Sequence, residues 1–302
     1  MKDRGQQTTT PSKHNELINS NWKVREARAK RMDWTPTREQ VEIGLNDGSS
    51  SVRIAWAKRM DWTPTPEQVE IGLNDVIGDV RREWAKRMDW TPTLEQVCAG
   101  LLDAYCDVRV AWIRRANWTP TPEMVETGFN DTDASIRAAW AHRMDFTPTQ
   151  EQVERGLKDV DSHVRIAWVE RMDWTPTREH SCRGLIDIWT VREAWARRTD
   201  WTPTPEQVES GLRDEWSESI REAWVKRMDW TPTPEQVKDG LNEESTDVRI
   251  AWVKRTDWTH TPEQVEAGLN DQSEKVRDAW MERLKMEQEE SLGSGNGLGV
   301  SL

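Results

Sequence analysis

Apolar positions recur along this chain in a short helical pattern, and residues 62–89 display it clearly. Val69, Gly72 and Leu73 fall at i, i+3 and i+4, which places them on one face of a helix. Thr65-Pro66-Glu67-Gln68 reads as the start of that helix. Thr is a good N-cap, Pro suits the first helical position, and Gln three residues after the cap closes a capping box. The acidic Glu67 suits the positive end of the helix dipole. Gly72 sits inside the helix at a cost of about 1 kcal/mol, so it implies either close backbone approach by a neighbour or a left-handed exit. A second helix starts near Asp79 and runs through Val80, Trp84 and Met88. One unit earlier, Val52, Ala55, Trp56 and Met60 make the matching apolar stripe. Asp61-Trp62-Thr63-Pro64 breaks the helix, because a residue before proline disfavours the α conformation.

The pattern repeats. Trp-Thr-Pro-Thr begins at Trp34, Trp62, Trp90, Trp118, Trp174, Trp201 and Trp230, and Phe146 and Trp258 open variant copies. Val/Ile-Arg-x-x-Trp closes each unit, at Trp56 and its eight counterparts up to Trp280. The period is 28 residues, except for a 27-residue unit (174–200) followed by a 29-residue one (201–229). The expected fold is therefore all-α: a right-handed α-solenoid, or superhelix, of nine repeats of about 28 residues, each of two short helices. A degenerate half-unit at 18–33, with Arg28 where later copies carry Trp, is expected to cap the N-terminal end. Residues 1–17 are expected to be disordered, 34–285 to hold the nine repeats, and 286–302 to form a flexible tail, acidic and then Gly/Ser-rich.

Asp75 through Val80-Arg81, followed by a small residue and an aromatic, resembles the Asp-x-x-x-x-Val-Arg-x-x-Ala signature of HEAT-like repeats. The unit also resembles the leucine-rich repeat variant family, whose Val-Arg helix is followed by a proline-containing turn and a second short helix. The likeness covers Val24 to about Leu284. It implies a fold and says little about function. Two departures stand out: Trp replaces the usual small residue of the Val-Arg helix, and the unit is several residues longer. The family's iron–sulfur prototype has a cysteine cluster with no counterpart here, so that cofactor does not carry over.

Composition narrows the functional classes. Twenty Trp stand against one Tyr and two Phe, which suggests one aromatic position copied many times. The net charge of −12 opposes general affinity for phosphate, though not a local basic stripe. Cys98, Cys106 and Cys182 fit no metal or iron–sulfur spacing and read as free thiols in a reducing, cytoplasmic setting. No metal, cofactor or membrane span is expected, and the protein is expected to be a monomer and not an enzyme. His14, His142, His163, His180 and His260 share no helical register, and the one grouping to check is His163 beside His180 and Cys182 in adjacent units.

Read as columns, most repeated residues suggest packing. The two Trp columns form ladders, either in the core or as an aromatic binding surface. The Arg53 column follows an acidic position by six residues and suggests an Asp–Arg ladder between units. The Arg59 column lies in a helix's last turn, where a cation suits the dipole. Beside it runs a looser basic column, Lys58, Lys86, Arg114, His142, Arg197, Lys226 and Lys254, interrupted by Glu170 and Glu282. It could track a nucleic-acid backbone, or it could be a solvated helix end. The inter-helix loops vary most, and they carry the aromatics outside the ladders: Tyr105, Trp189 and Trp216. Trp189 and Trp216 belong to the two units of uneven length. They are candidate anchors for a protein or peptide partner, or covers for an irregular joint. Helix positions such as Ile54, Arg82 and Glu193 are expected to add specificity. The leading expectation is a scaffold binding protein or peptide along one face of the solenoid, with nucleic acid as the alternative.

Overall fold

The computed structural model describes residues 17–295. The expected disordered segment falls outside this range except for Leu17, as do residues 296–302 of the expected tail. Nineteen α-helices and no strand occur among the described residues. By its own contacts the chain divides into two compact units, Met1–Thr147 and Pro148–Leu302. In each unit a second helix packs on the first helix of its own repeat and on the second helix of the next repeat. Helices of eight or nine residues are marginal in water, so this lateral packing is what keeps them helical.

The first helix of the repeat 62–89 is Pro66–Leu73. Thr65 accepts from the Gln68 N–H while the Gln68 side chain accepts from the Thr65 N–H, forming a capping box. The helix leaves through Asn74 at φ −100°, so no left-handed exit is present and Gly72 is explained by close approach. A Cβ on Gly72 would overlap the indole of Trp84, and each equivalent glycine lies under its own helix tryptophan in the same way. Trp84 and its eight counterparts are 2% exposed or less. Each Trp62-type ring meets its partner edge-on, for example Trp62 on Trp84 with centroids 6.1 Å apart, a favoured aromatic geometry. In Trp118, Trp174, Trp230 and Trp258 the indole N–H donates to the carbonyl of the helix Trp six residues earlier, at 3.0–3.1 Å. The Trp84-type ladder is core, and the Trp62-type ladder packs against it, half-buried or deeper.

The second helix spans Gly78–Lys86 and stops before Met88. Met60, Met88 and their counterparts at 32, 144, 172 and 228 lie past the helix end and are exposed, which corrects their expected place in the apolar stripe. From Met60 onward the arginine before each methionine turns inward instead, while Arg31, before Met32, stays exposed. Arg87 is 2% exposed. It donates to the carbonyls of Ala57 (3.0 Å) and Arg59 in the preceding repeat, to Trp62 O (3.0 Å), and through two atoms to Asp89. Its guanidinium lies 4.5 Å from the Trp62 ring centroid. The Arg59 column is therefore an internal staple between repeats, a larger role than dipole compensation. Arg115 has Asn117 where its counterparts have a carboxylate, and burial pulls it down to about 10, with Asp89 opposing.

The two ends adapt this scheme. Arg28 is buried with its guanidinium 3.9 Å from the Trp34 ring centroid. The last helix runs Glu274–Gly295 and so continues well past position 286, where a flexible tail was expected. Lys285 occupies the usual carboxylate position, and Glu287, one turn past Arg283, accepts from it (2.8 Å) and meets His260 (2.8 Å). The continued helix thus completes the staple.

Candidate functional site: the inter-helix loop edge

Each inter-helix loop is organised by one carboxylate. Asp75 receives the bidentate Arg53 of the preceding repeat at 2.6 and 2.8 Å, and its Oδ1 also accepts from the Ile77 N–H at 2.9 Å. Arg53 closes the link by donating to Asp47 O at 2.8 Å. The same bidentate pairing joins Arg25 to Asp47, Arg81 to Asp103, Arg165 to Asp187 and Arg249 to Asp271. Burial pushes the Asp103 carboxyl up, but hydrogen bonds from Arg81 and the Tyr105 N–H outweigh it and hold the group below its ordinary range. Asp47 and Asp271 behave alike, with Arg25 and Ser49, and Arg249 and Ser273, as their donors. With the loop closed by its Asp, the side chains of the next two residues are not held to one type, and the copies differ there; Asp133 and Asp161 use theirs to cap the following helix.

The residues on either side of the loop Asp present apolar side chains to solvent. In the first unit these are Val76, Ile77, Leu102 and Tyr105; in the second, Val160, Ile186, Ile188, Trp189 and Trp216. Of these only the three aromatics stood out in the sequence, because a lone Val or Ile in a loop has no pattern to mark it. Tyr105 is 57% exposed, but one face of its ring covers Gly78 and lies 5.3 Å from the Arg81 guanidinium. Trp189 opens the helix Trp189–Arg197 and is 52% exposed. Trp216 stands two residues before the helix Glu218–Lys226 and is 83% exposed. These two helices pack together, and Arg192 pairs with Asp214 at 3.0 Å, so the two tryptophans share one end of a helix pair. Tyr105 belongs to the other unit.

The basic column is exposed throughout. Among the described residues of the first unit Lys58, Arg114 and His142 form no ion pair, whereas Lys86 pairs with Glu83 at 3.0 Å. In the second unit Arg197 pairs with Glu193 and Lys226 with Glu222, and Lys254 has no ion pair among the described residues. These cations cap or end their helices, where they suit the dipole. They rim shallow grooves between second helices, about 310 Å³ beside Ile54 and Lys58 and about 430 Å³ beside Arg82, Lys86, Val110 and Arg114. Ile54, Arg82 and Glu193 are half-buried. Of the opposite grooves, between first helices, one of about 400 Å³ is mainly acidic, lined by Glu209, Glu235, Asp239 and Glu243 with Arg213 over Trp252, and another is mixed, with Glu154 and Asp187 beside Lys158, Arg165 and Arg183.

His163 and His180 have separate partners. His163 is exposed beside Asp161 at 3.2 Å, while His180 is buried, caps Thr177 and meets Glu154 at 3.3 Å. Cys182 accepts from Gln207, and all three cysteines are free thiols. No group of His, Cys, Asp and Glu suited to a metal ion occurs among the described residues, and no described helix is long and apolar enough to cross a membrane.

No family model matches the sequence, and no curated protein matches it. Among solved structures the chain is similar to a leucine-rich repeat variant described as having a novel repetitive structural motif. The two are 20% identical with a TM-score of 0.41, over 70% of this chain and 88% of that one.

Proposed function

We propose that this chain is a non-enzymatic, cytoplasmic helical-repeat scaffold that holds a protein or peptide partner on its inter-helix loops, with Trp189 and Trp216 as anchors in the second unit and Tyr105 as a separate, lesser contact in the first. One observation carries this reading: Trp216 is 83% exposed in a chain whose helix tryptophans are 2% exposed or less. A ring that covered an irregular joint would be shielded by it. Large aromatics left in solvent on a rigid frame are the usual anchors of an interface. The test is affinity capture with the parent chain and with the Trp189→Ala/Trp216→Ala double variant. The reading requires at least one partner to be lost; recovery of every parent partner by the double variant contradicts it.

Nucleic-acid binding along Lys58, Lys86, Arg114, Arg197, Lys226 and Lys254 is the second reading. It is favoured by the exposed, unpaired state of Lys58, Arg114 and Lys254. Against it stand the ion pairs of Lys86, Arg197 and Lys226 and the overall charge of −12. Retention on heparin or DNA-cellulose at low salt supports this reading, and passage in the void volume rejects it.

A further inference from the structure

We propose that the segment docking on Trp189 and Trp216 is basic, with Lys or Arg side chains interleaved with apolar ones; this rests on the loop-edge reading above. Four carboxylates, Glu215, Glu218, Glu244 and Asp247, accompany Trp216 on its own loop and on the loop of the next repeat, and all are exposed. Among the described residues none of the four is in an ion pair. The cations of the same stretch are mostly committed. Arg213 pairs with Glu209 at 2.7 Å, Arg221 with Glu243 at 3.1 Å, and Lys226 with Glu222. Arg227 is buried on Asp229. Lys238, on the helix Pro234–Leu241, is the one free cation between 212 and 247 among the described residues.

An exposed indole beside uncompensated carboxylates has a definite chemical preference. The ring's face attracts a cation, most strongly for Trp, and adjacent carboxylates reinforce that attraction. Ile186 and Ile188, also exposed, extend the apolar part of the patch beside Trp189. A segment with alternating aliphatic and cationic side chains fills both parts. An acidic segment would meet four unpaired carboxylates, and like-charge juxtaposition rejects it. The same repulsion keeps a phosphate backbone off this edge, so any nucleic-acid binding would have to use the basic column on the second helices.

The experiment uses the full chain and three fluorescein-labelled nine-residue peptides repeating Gly-Leu-Arg, Gly-Leu-Glu or Gly-Leu-Ser. Affinity is read by fluorescence anisotropy at about 150 mM salt, where diffuse attraction is screened beyond about 8 Å. The Arg peptide is expected to bind about tenfold more tightly than the Glu peptide. Trp189→Ala/Trp216→Ala should weaken it about fivefold, the scale of a lost cation–π contact. The variant Glu215→Gln/Glu218→Gln/Glu244→Gln/Asp247→Asn should do the same. A control with equal charge change, Glu39→Gln/Glu67→Gln/Glu95→Gln/Glu123→Gln, should change affinity by less than about twofold. Circular dichroism verifies that each variant is folded. Equal weakening by the two quadruple variants would reduce the effect to overall charge and overturn the proposal. If the Trp pair weakens all three peptides alike, the basic partner is wrong while the loop-edge reading stands. If it weakens none, both are wrong.

Discussion

Replacing Arg87 by Lys keeps the charge and removes the fork. Arg87 presents five hydrogen bonds, to three backbone carbonyls and both oxygens of Asp89, at 2% exposure. A lysine has three donors on one atom and cannot reach two repeats and a bidentate carboxylate together. Breaking a buried, hydrogen-bonded pair costs about 3–5 kcal/mol, and the retained charge recovers part of it, so a loss of about 3 kcal/mol is expected. Arg87→Met, with no donor, should cost about 4 kcal/mol. In a nearest-neighbour array the loss falls on coupling between the repeats 34–61 and 62–89. Urea denaturation followed by circular dichroism reads the total, and amide exchange in Arg38–Leu45 and Pro66–Leu73 reads the local opening. Arg114→Lys, at an exposed position, is the control and should stay within about 0.5 kcal/mol. Should Arg87→Lys behave like that control, the staple account is wrong.

Gly72→Ala should destabilise by about 3 kcal/mol even though alanine is the better helix former, because the new methyl overlaps Trp84; urea midpoints check it, and Trp84→Phe in the same chain should restore part of the loss. Asn117→Asp should stabilise by about 1 kcal/mol by giving the buried Arg115 the carboxylate its counterparts have; an unchanged or lower urea midpoint argues against it. Asp47, Asp103 and Asp271 are held below the ordinary carboxylate range, so their contribution to stability is fully present above about pH 3.9 and is lost as pH falls through their folded values. Urea midpoints should therefore hold from neutrality to about pH 4 and fall below it; a decline beginning near pH 6 would point to other groups.

The helices were legible because their signals are local. Thr65-Pro66-Glu67-Gln68 names a helix start without any neighbour, and the Asp-to-Arg spacing pointed to the ladder that joins Arg53 to Asp75. Roles that depend on a residue's second environment were harder to read. Arg87 looked like a dipole-compensating cation because the carbonyls it binds lie 25–30 residues back in sequence. Met60 matched a helical spacing that the helix does not extend to reach, since Ser50–Ala57 ends before it. The last helix was masked by composition: Glu287 looked like part of an acidic tail until Arg283 and His260 were seen to hold it. At the loop edge the aromatics were visible as departures from the repeat. Their aliphatic companions Val160 and Ile186 were not, because only exposure distinguishes them.

Stability resides in the residues the copies share, and the proposed binding in those where they differ. Trp216→Ser, assayed in one preparation for urea midpoint and for retention of the Gly-Leu-Arg peptide, tests that division most directly. The expected result is a midpoint within about 0.5 kcal/mol of the parent together with loss of most of the peptide affinity. A chain destabilised by about 2 kcal/mol or more, as deletion of a packed aromatic would cause, with peptide affinity unchanged, would contradict it.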